Sequence, residues 1–143
     1  KRQLLASVIP LGAALESNGT TEIIVQILTK YASSMEPWLI IAIIMIITMT
    51  LSDILNNTAT TLVIAPISIQ LAQTLNLNTD TFLMAVAVSA SCAFLTPIGH
   101  KNNTIILGPG GYRFGDYWRM GLVLEVLIIT TSIPLLLIFW PIN

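Results

Sequence analysis

Two polar triplets, Asn56-Asn57-Thr58 and Asn102-Asn103-Thr104, interrupt otherwise apolar stretches, and each is followed by a fresh hydrophobic run. In hydrocarbon nothing outside the protein can satisfy such groups, so they must bond one another or line a cavity that holds something polar. Asn and Thr are strong N-caps, and a helix start presents unpaired N–H groups carrying about half a positive charge. Two such starts meeting at mid-membrane predict an anion site that needs no buried formal charge. The upstream helix ends, near Leu55 and Gly99, do the reverse, because their free carbonyls suit a small cation. An anion and a cation bound side by side is what coupled secondary transport requires. Amides that only pack helices together are the alternative, and two independent interruptions weigh against it.

Charged side chains sharpen the second interruption. A charge at the bilayer centre costs about 2.5 to 3.5 kcal/mol even on insertion scales, so Lys101 needs a bound anion or Asp53 as counter-charge, or else snorkels to water. His100 is a candidate proton carrier or a neutral side chain hydrogen-bonded in a polar loop. Glu125 stands one turn past the start of the last apolar run and reads as an interfacial residue. The single Cys92 can form no intrachain disulfide and reads as a small buried hydrophobe. Both triplets and Asn18-Gly19-Thr20 match the glycosylation acceptor pattern, which needs an external loop that the apolar-flanked triplets are not expected to offer. Asp53 and His100 complete neither a nucleophile and base pair nor a metal motif, so the chain is not expected to be an enzyme and no cofactor is called for.

The elements that must position these residues lie in lipid. With 55% hydrophobic and 9% charged residues and a mean hydropathy of +0.83, the chain is far from a soluble domain at roughly 25% charged. A net charge of −1 gives no electrostatic case for nucleic acid. The sequence starts without Met, and its first apolar run, residues 4–15, is shorter than the roughly 20 residues of a span. Both features predict a piece of a longer polytopic chain. A signal peptide fits less well, since Pro10 and Gly12 break the apolar core.

Further along, residues 38–51 and 82–95 are each too short for a standard span, and residues 58–75 carry Pro66, Gln70 and Gln73. Only residues 120–140 have full length, with Trp118 and Trp140 as interfacial anchors. Ile23, Ile24, Ile27, Leu28 and Tyr31 repeat at helical spacing opposite Glu22, Gln26 and Lys30, predicting an amphipathic helix at the membrane surface. Lys1 and Arg2 should share the cytoplasmic side with Arg113 and Arg119. The segment between residues 38 and 75 must then leave and return to one face. A turn at residues 53–58 without Lys or Arg favours a re-entrant hairpin with its tip at mid-depth. The predicted architecture is therefore an all-α membrane protein: a polytopic helical transporter repeat with a re-entrant helical hairpin and a broken transmembrane helix. Its elements are a span at 3–17, an interfacial helix at 20–34, the hairpin at 37–76, a broken helix at 80–108 opened at residues 96–103, and a last span at 118–140.

In Asn56-Asn57-Thr58-Ala59-Thr60 and Thr96-Pro97-Ile98-Gly99-His100-Lys101-Asn102-Asn103 the chain resembles the C-terminal half of a divalent anion:sodium symporter. This family of sodium-coupled sulfate and dicarboxylate permeases lies within the ion transporter superfamily. The likeness runs from Pro10-Leu11-Gly12 through Ser91-Cys92-Ala93-Phe94 to the Gly110-Gly111-Tyr112-Arg113-Phe114-Gly115-Asp116-Tyr117-Trp118 tail. It implies inverted repeats, an elevator-type homodimer for the full-length protein, and an integral place in the bacterial inner (plasma) membrane. The family's hairpin tip Ser-Asn-Thr, which contacts the substrate's anionic oxygens, corresponds to Asn56, Asn57 and Thr58. Its sodium site implies Ser52, Leu55, Asn57 and Gly99. Where the family's helix break commonly reads Thr-Pro-Pro-Asn, this chain has His100-Lys101-Asn102-Asn103, so His100, Lys101 and Asn103 join the expected substrate-binding set.

The resemblance thus implies sodium- or proton-coupled symport of a divalent anion such as sulfate or a dicarboxylate. Lys101 would supply part of the positive charge that sodium supplies elsewhere and favour a small oxyanion. An arsenite- or citrate-type permease of the same superfamily and a passive anion channel are the alternatives.

Overall fold

Among the described residues, 10, 13–14 and 17–141 of a computed structural model, the regular elements are six helices: α1 (Thr20–Ala32), α2 (Pro37–Ile54), α3 (Asn57–Thr74), α4 (Thr79–Ala90), α5 (Lys101–Leu107) and α6 (Phe114–Phe139). Most of the span expected at residues 3–17 lies outside the described residues. Helices α2 and α6 are long and apolar enough to cross a membrane.

Local chemistry sets each boundary. Pro37 opens α2, where its missing N–H is one that a first turn leaves unbonded anyway. Only Leu55 and Asn56 separate α2 from α3, and Asn56 Oδ1 caps α3 by accepting from Ala59 N at 2.8 Å. The helix α3 continues through Pro66. It closes where Leu77 N donates to Ala72 O at 2.8 Å and Asn76 takes φ 54°, a left-handed conformation that Asn tolerates. Asn78 then caps α4 through Oδ1, which accepts from Asp80 N at 3.0 Å.

The core sits where α2, α3 and α4 meet. Ile41, Met45, Thr48 and Ser52 are fully buried along one stripe of α2, and Phe82, Ala85, Val86 and Ser89 form the matching stripe of α4. Helix α6 packs against α2 and α4 but buries only Gly121, Glu125 and Leu136. Its exposed row, including Leu122, Val126 and Phe139, suits lipid, which is as apolar as those side chains. The end of α6 is pinned to the start of α4: Thr81 Oγ1 donates to Trp140 O at 2.9 Å and Asn78 Nδ2 to Pro141 O at 3.0 Å.

Helix α1 keeps the expected amphipathic division. Ile23, Ile27 and Tyr31 face outward, Val25 turns inward, and Glu22, Gln26 and Lys30 border an open cavity of about 600 Å³ above Gln70 and Gln73 of α3. The non-helical stretch between α4 and α5 covers residues 91–100, earlier than residue types suggest, so Asn102-Asn103-Thr104 forms the first turn of α5 rather than the break.

Removing the Phe82 ring, which is fully buried, leaves a cavity that costs about 3 to 5 kcal/mol. Phe82→Ala is therefore expected to lower the melting temperature in detergent clearly, whereas Leu122→Ala, on the outward face of α6, leaves it near wild type.

Candidate functional site

The hairpin tip and the helix break form one assembly. At the tip, Ser52 Oγ donates to Asn57 Oδ1 at 3.0 Å and also lies 2.7 Å from Ala90 O, the last residue of α4. Ser52 is fully buried and Asn57 half-buried, so a hydroxyl and an amide oxygen meet at the junction of α2, α3 and α4. Gly99 brings the break against the same point. A Cβ built there would stand 3.1 Å from Ser52 O, 3.0 Å from Asp53 Cα and 2.8 Å from Ala93 Cβ. Three of the four residues that the resemblance implies for sodium, Ser52, Asn57 and Gly99, are thus adjacent. The fourth, Leu55, caps the end of α2 beside them.

A helix broken inside an apolar body frees backbone donors that must find partners. Here Asp53 Oδ1 accepts from Leu95 N at 3.1 Å and Thr96 N at 3.3 Å, and Glu125 Oε1 lies 3.5 Å from Phe94 N. Thr96 Oγ1 donates to Asp53 O at 2.7 Å and accepts from Gly99 N at 3.2 Å. On the far side, Thr104 Oγ1 donates to Pro97 O at 2.6 Å, and Tyr117 OH donates to Asn103 O at 2.9 Å. Asn103 Nδ2 points to Ala93 O and Thr96 O at 3.4 and 3.5 Å. The early start of the break follows from this donor set: Phe94, Leu95 and Thr96 give their N–H groups to two carboxylates, not to a fourth turn of α4.

Several expected roles change. Asp53 is not the counter-charge of Lys101, because its carboxylate is engaged with the break and faces Glu125, while Lys101 is exposed on the first turn of α5. Glu125 is not interfacial: only 9% exposed, it turns inward, and its Oε1 lies 3.5 Å from Phe94 N of the break. Asn56 spends its side-chain oxygen on the α3 cap, and Asn103 spends its amide on the break. Thr58 and Asn102 are exposed, and His100 is half-buried as the N-cap residue of α5 without a side-chain capping bond. Sequence reasoning missed Thr96 as a two-way bridge. A hydroxyl directly before Pro97, in a segment with few polar side chains, was the available signal.

A family model described as "Citrate transporter" matches residues 3–142. An uncharacterised transporter of Synechocystis sp. is 41% identical over 93% of this chain and 22% of its own length. The sodium-dependent low-affinity dicarboxylate transporter 1 of Caenorhabditis elegans is 30% identical over 83% of this chain and 20% of its length. The sodium-dependent dicarboxylate transporter SdcS of Staphylococcus saprophyticus is 28% identical over 73% of this chain and 20% of its length. The chain spans about a fifth of the length of these curated relatives.

The close approach at Gly99 is testable against a glycine with open space around it. Gly99→Ala forces the break away from Ser52 and is expected to reduce uptake by the longer transporter at least about tenfold. Gly108→Ala, with nothing near its Cβ, should stay within about twofold at equal expression.

Proposed function

The chain belongs to the citrate transporter family, and from that premise we propose that it forms the cation-binding and part of the anion-binding half of a sodium-coupled secondary transporter for a divalent anion. The observation that carries this reading is the meeting of Ser52 Oγ and Asn57 Oδ1 at 3.0 Å, with the Gly99 backbone packed against Ser52. Oxygen ligands from a hydroxyl, an amide and backbone carbonyls suit a hard monovalent cation, and α2 ends beside the same junction. The sodium dependence that two relatives carry in their names agrees with it.

The anion would lie on the other side of the tip. The first turns of α3 and α5 supply Asn57, Thr58 and unpaired N–H groups, and the exposed Lys101 supplies charge. A cation bound first raises the local positive potential, so anion affinity depends on sodium, which is coupling in thermodynamic form. Lys101 contributes a fixed charge to the same field. It thereby lowers the number of sodium ions needed per anion and favours a compact oxyanion such as sulfate. A tricarboxylate is the second reading, favoured by the description of the matching family model.

Counterflow of labelled sulfate, succinate and citrate in proteoliposomes containing the longer transporter, with sodium or potassium outside, tests the reading. Sodium-dependent exchange of sulfate or succinate is expected. Exchange of citrate alone selects the second reading, and exchange indifferent to sodium contradicts cation coupling. In the same assay Lys101→Ala is expected to steepen the sodium dependence and to weaken sulfate relative to succinate. An unchanged sodium curve and an unchanged substrate rank would remove Lys101 from the mechanism.

A further inference from the structure

The carboxyl groups of Asp53 and Glu125 have no part in the cation ligand set, yet they are the most deeply placed acidic side chains of the described residues. Asp53 is 4% exposed, and its Oδ2 is buried without a donor. Three consecutive N–H groups, from Phe94, Leu95 and Thr96, point into the pair from the break. The pair grips the break from two helices at once, Asp53 from the end of α2 and Glu125 from the wall of α6. Gly121 makes the second grip possible, since a Cβ there would fall 2.3 Å from Phe94 O.

From Asp53 a continuous line of bonds leads to the cation junction. Its backbone oxygen accepts from Thr96 Oγ1, and Thr96 Oγ1 accepts from Gly99 N. Asp53 also directly follows Ser52 in the chain. One residue therefore fixes both sides of the junction, the α2 side through the backbone and the break side through Thr96.

We propose that Asp53, with Glu125 holding Phe94 of the same break and Thr96 as relay, is a positioning residue that sets the distance between Ser52 and Gly99 and so the sodium affinity of the junction. This rests on the cation reading of that junction. It assigns Asp53 no contact with the ion. An acceptor oxygen toward Leu95 and Thr96 is what the role demands, so Asp53→Asn, which keeps one, preserves it. Asp53→Ala does not. Thr96→Val removes the relay at nearly constant volume, while Thr96→Ser retains it.

The test is the sodium concentration for half-maximal uptake by the longer transporter in proteoliposomes, measured at saturating anion, together with the anion KM at saturating sodium. Asp53→Ala and Thr96→Val are expected to raise the sodium requirement at least about tenfold while the anion KM stays within about twofold. Asp53→Asn and Thr96→Ser should stay within about threefold of wild type on both. These fold-changes correspond to the loss or retention of the hydrogen bonds that hold the break against α2. Should Asp53→Ala fail to fold, the Thr96 pair decides the relay and Asp53→Asn decides the side chain, a sodium requirement raised about tenfold there overturning the proposal. An unchanged sodium requirement in Thr96→Val, or equal impairment in Asp53→Asn and Asp53→Ala, overturns the proposal while leaving the cation reading standing. A wild type indifferent to sodium overturns the cation reading itself, and this inference with it.

Discussion

At the centre of the junction an Asp53 carboxyl oxygen accepts the N–H groups of both Leu95 and Thr96. A helix interrupted among apolar side chains exposes donors that neither lipid nor the core can satisfy, at a cost of roughly 1 to 3 kcal/mol each by mutational measures. The protein meets that cost with side chains from other helices. Asp53 and Glu125 take donors on one side of the break, while Thr104 and Tyr117 bond backbone oxygens on the other. The break is held open by these partners, so its ends are fixed in place.

Close backbone approach then turns a satisfied break into a site. Gly99 lets the break lie against Ser52, and Gly121 lets it lie against α6. The helices that meet there are locked further down by Phe82, Met45 and Ile41, which are fully buried, and by the bonds that tie Trp140 and Pro141 to the start of α4. Packing below and a bonded break above bring Ser52 Oγ and Asn57 Oδ1 together at 3.0 Å, the meeting on which the proposed cation site rests. Outside this body α6 presents an apolar surface, and α1 turns its isoleucines outward, so the polar junction is enclosed by protein that is itself compatible with lipid.

Much of this was legible in the residues. Asn56 marks a helix start by local chemistry alone, and α3 begins directly after it, capped by its side-chain oxygen. The amphipathic row of α1 follows from its 3.6-residue period. The tip residues Ser52 and Asn57 were expected together and are bonded. What was not legible depends on contacts distant in sequence. The break begins early because Leu95 donates to a carboxylate 42 positions away and Phe94 points to one 31 positions away. Glu125 was misplaced for a related reason: α6 is apolar on nearly every side, so its sequence carries no periodicity that says which face turns inward. Asp53 stood as one of three options for Lys101, beside a bound anion and water, because both residues are charged and near interruptions, whereas the nearer demand on Asp53 came from the uncharged backbone.

The central claim is that a small cation binds between the hairpin tip and the break. Its most direct measure is the melting temperature of the purified longer transporter in detergent without any anion, in sodium chloride and in potassium chloride at equal ionic strength. Binding to the folded state alone raises the melting temperature. Sodium should therefore stabilise the wild type relative to potassium, and the difference should vanish in Ser52→Ala. Equal melting temperatures in the two salts, or a sodium effect that survives in Ser52→Ala, would contradict the account.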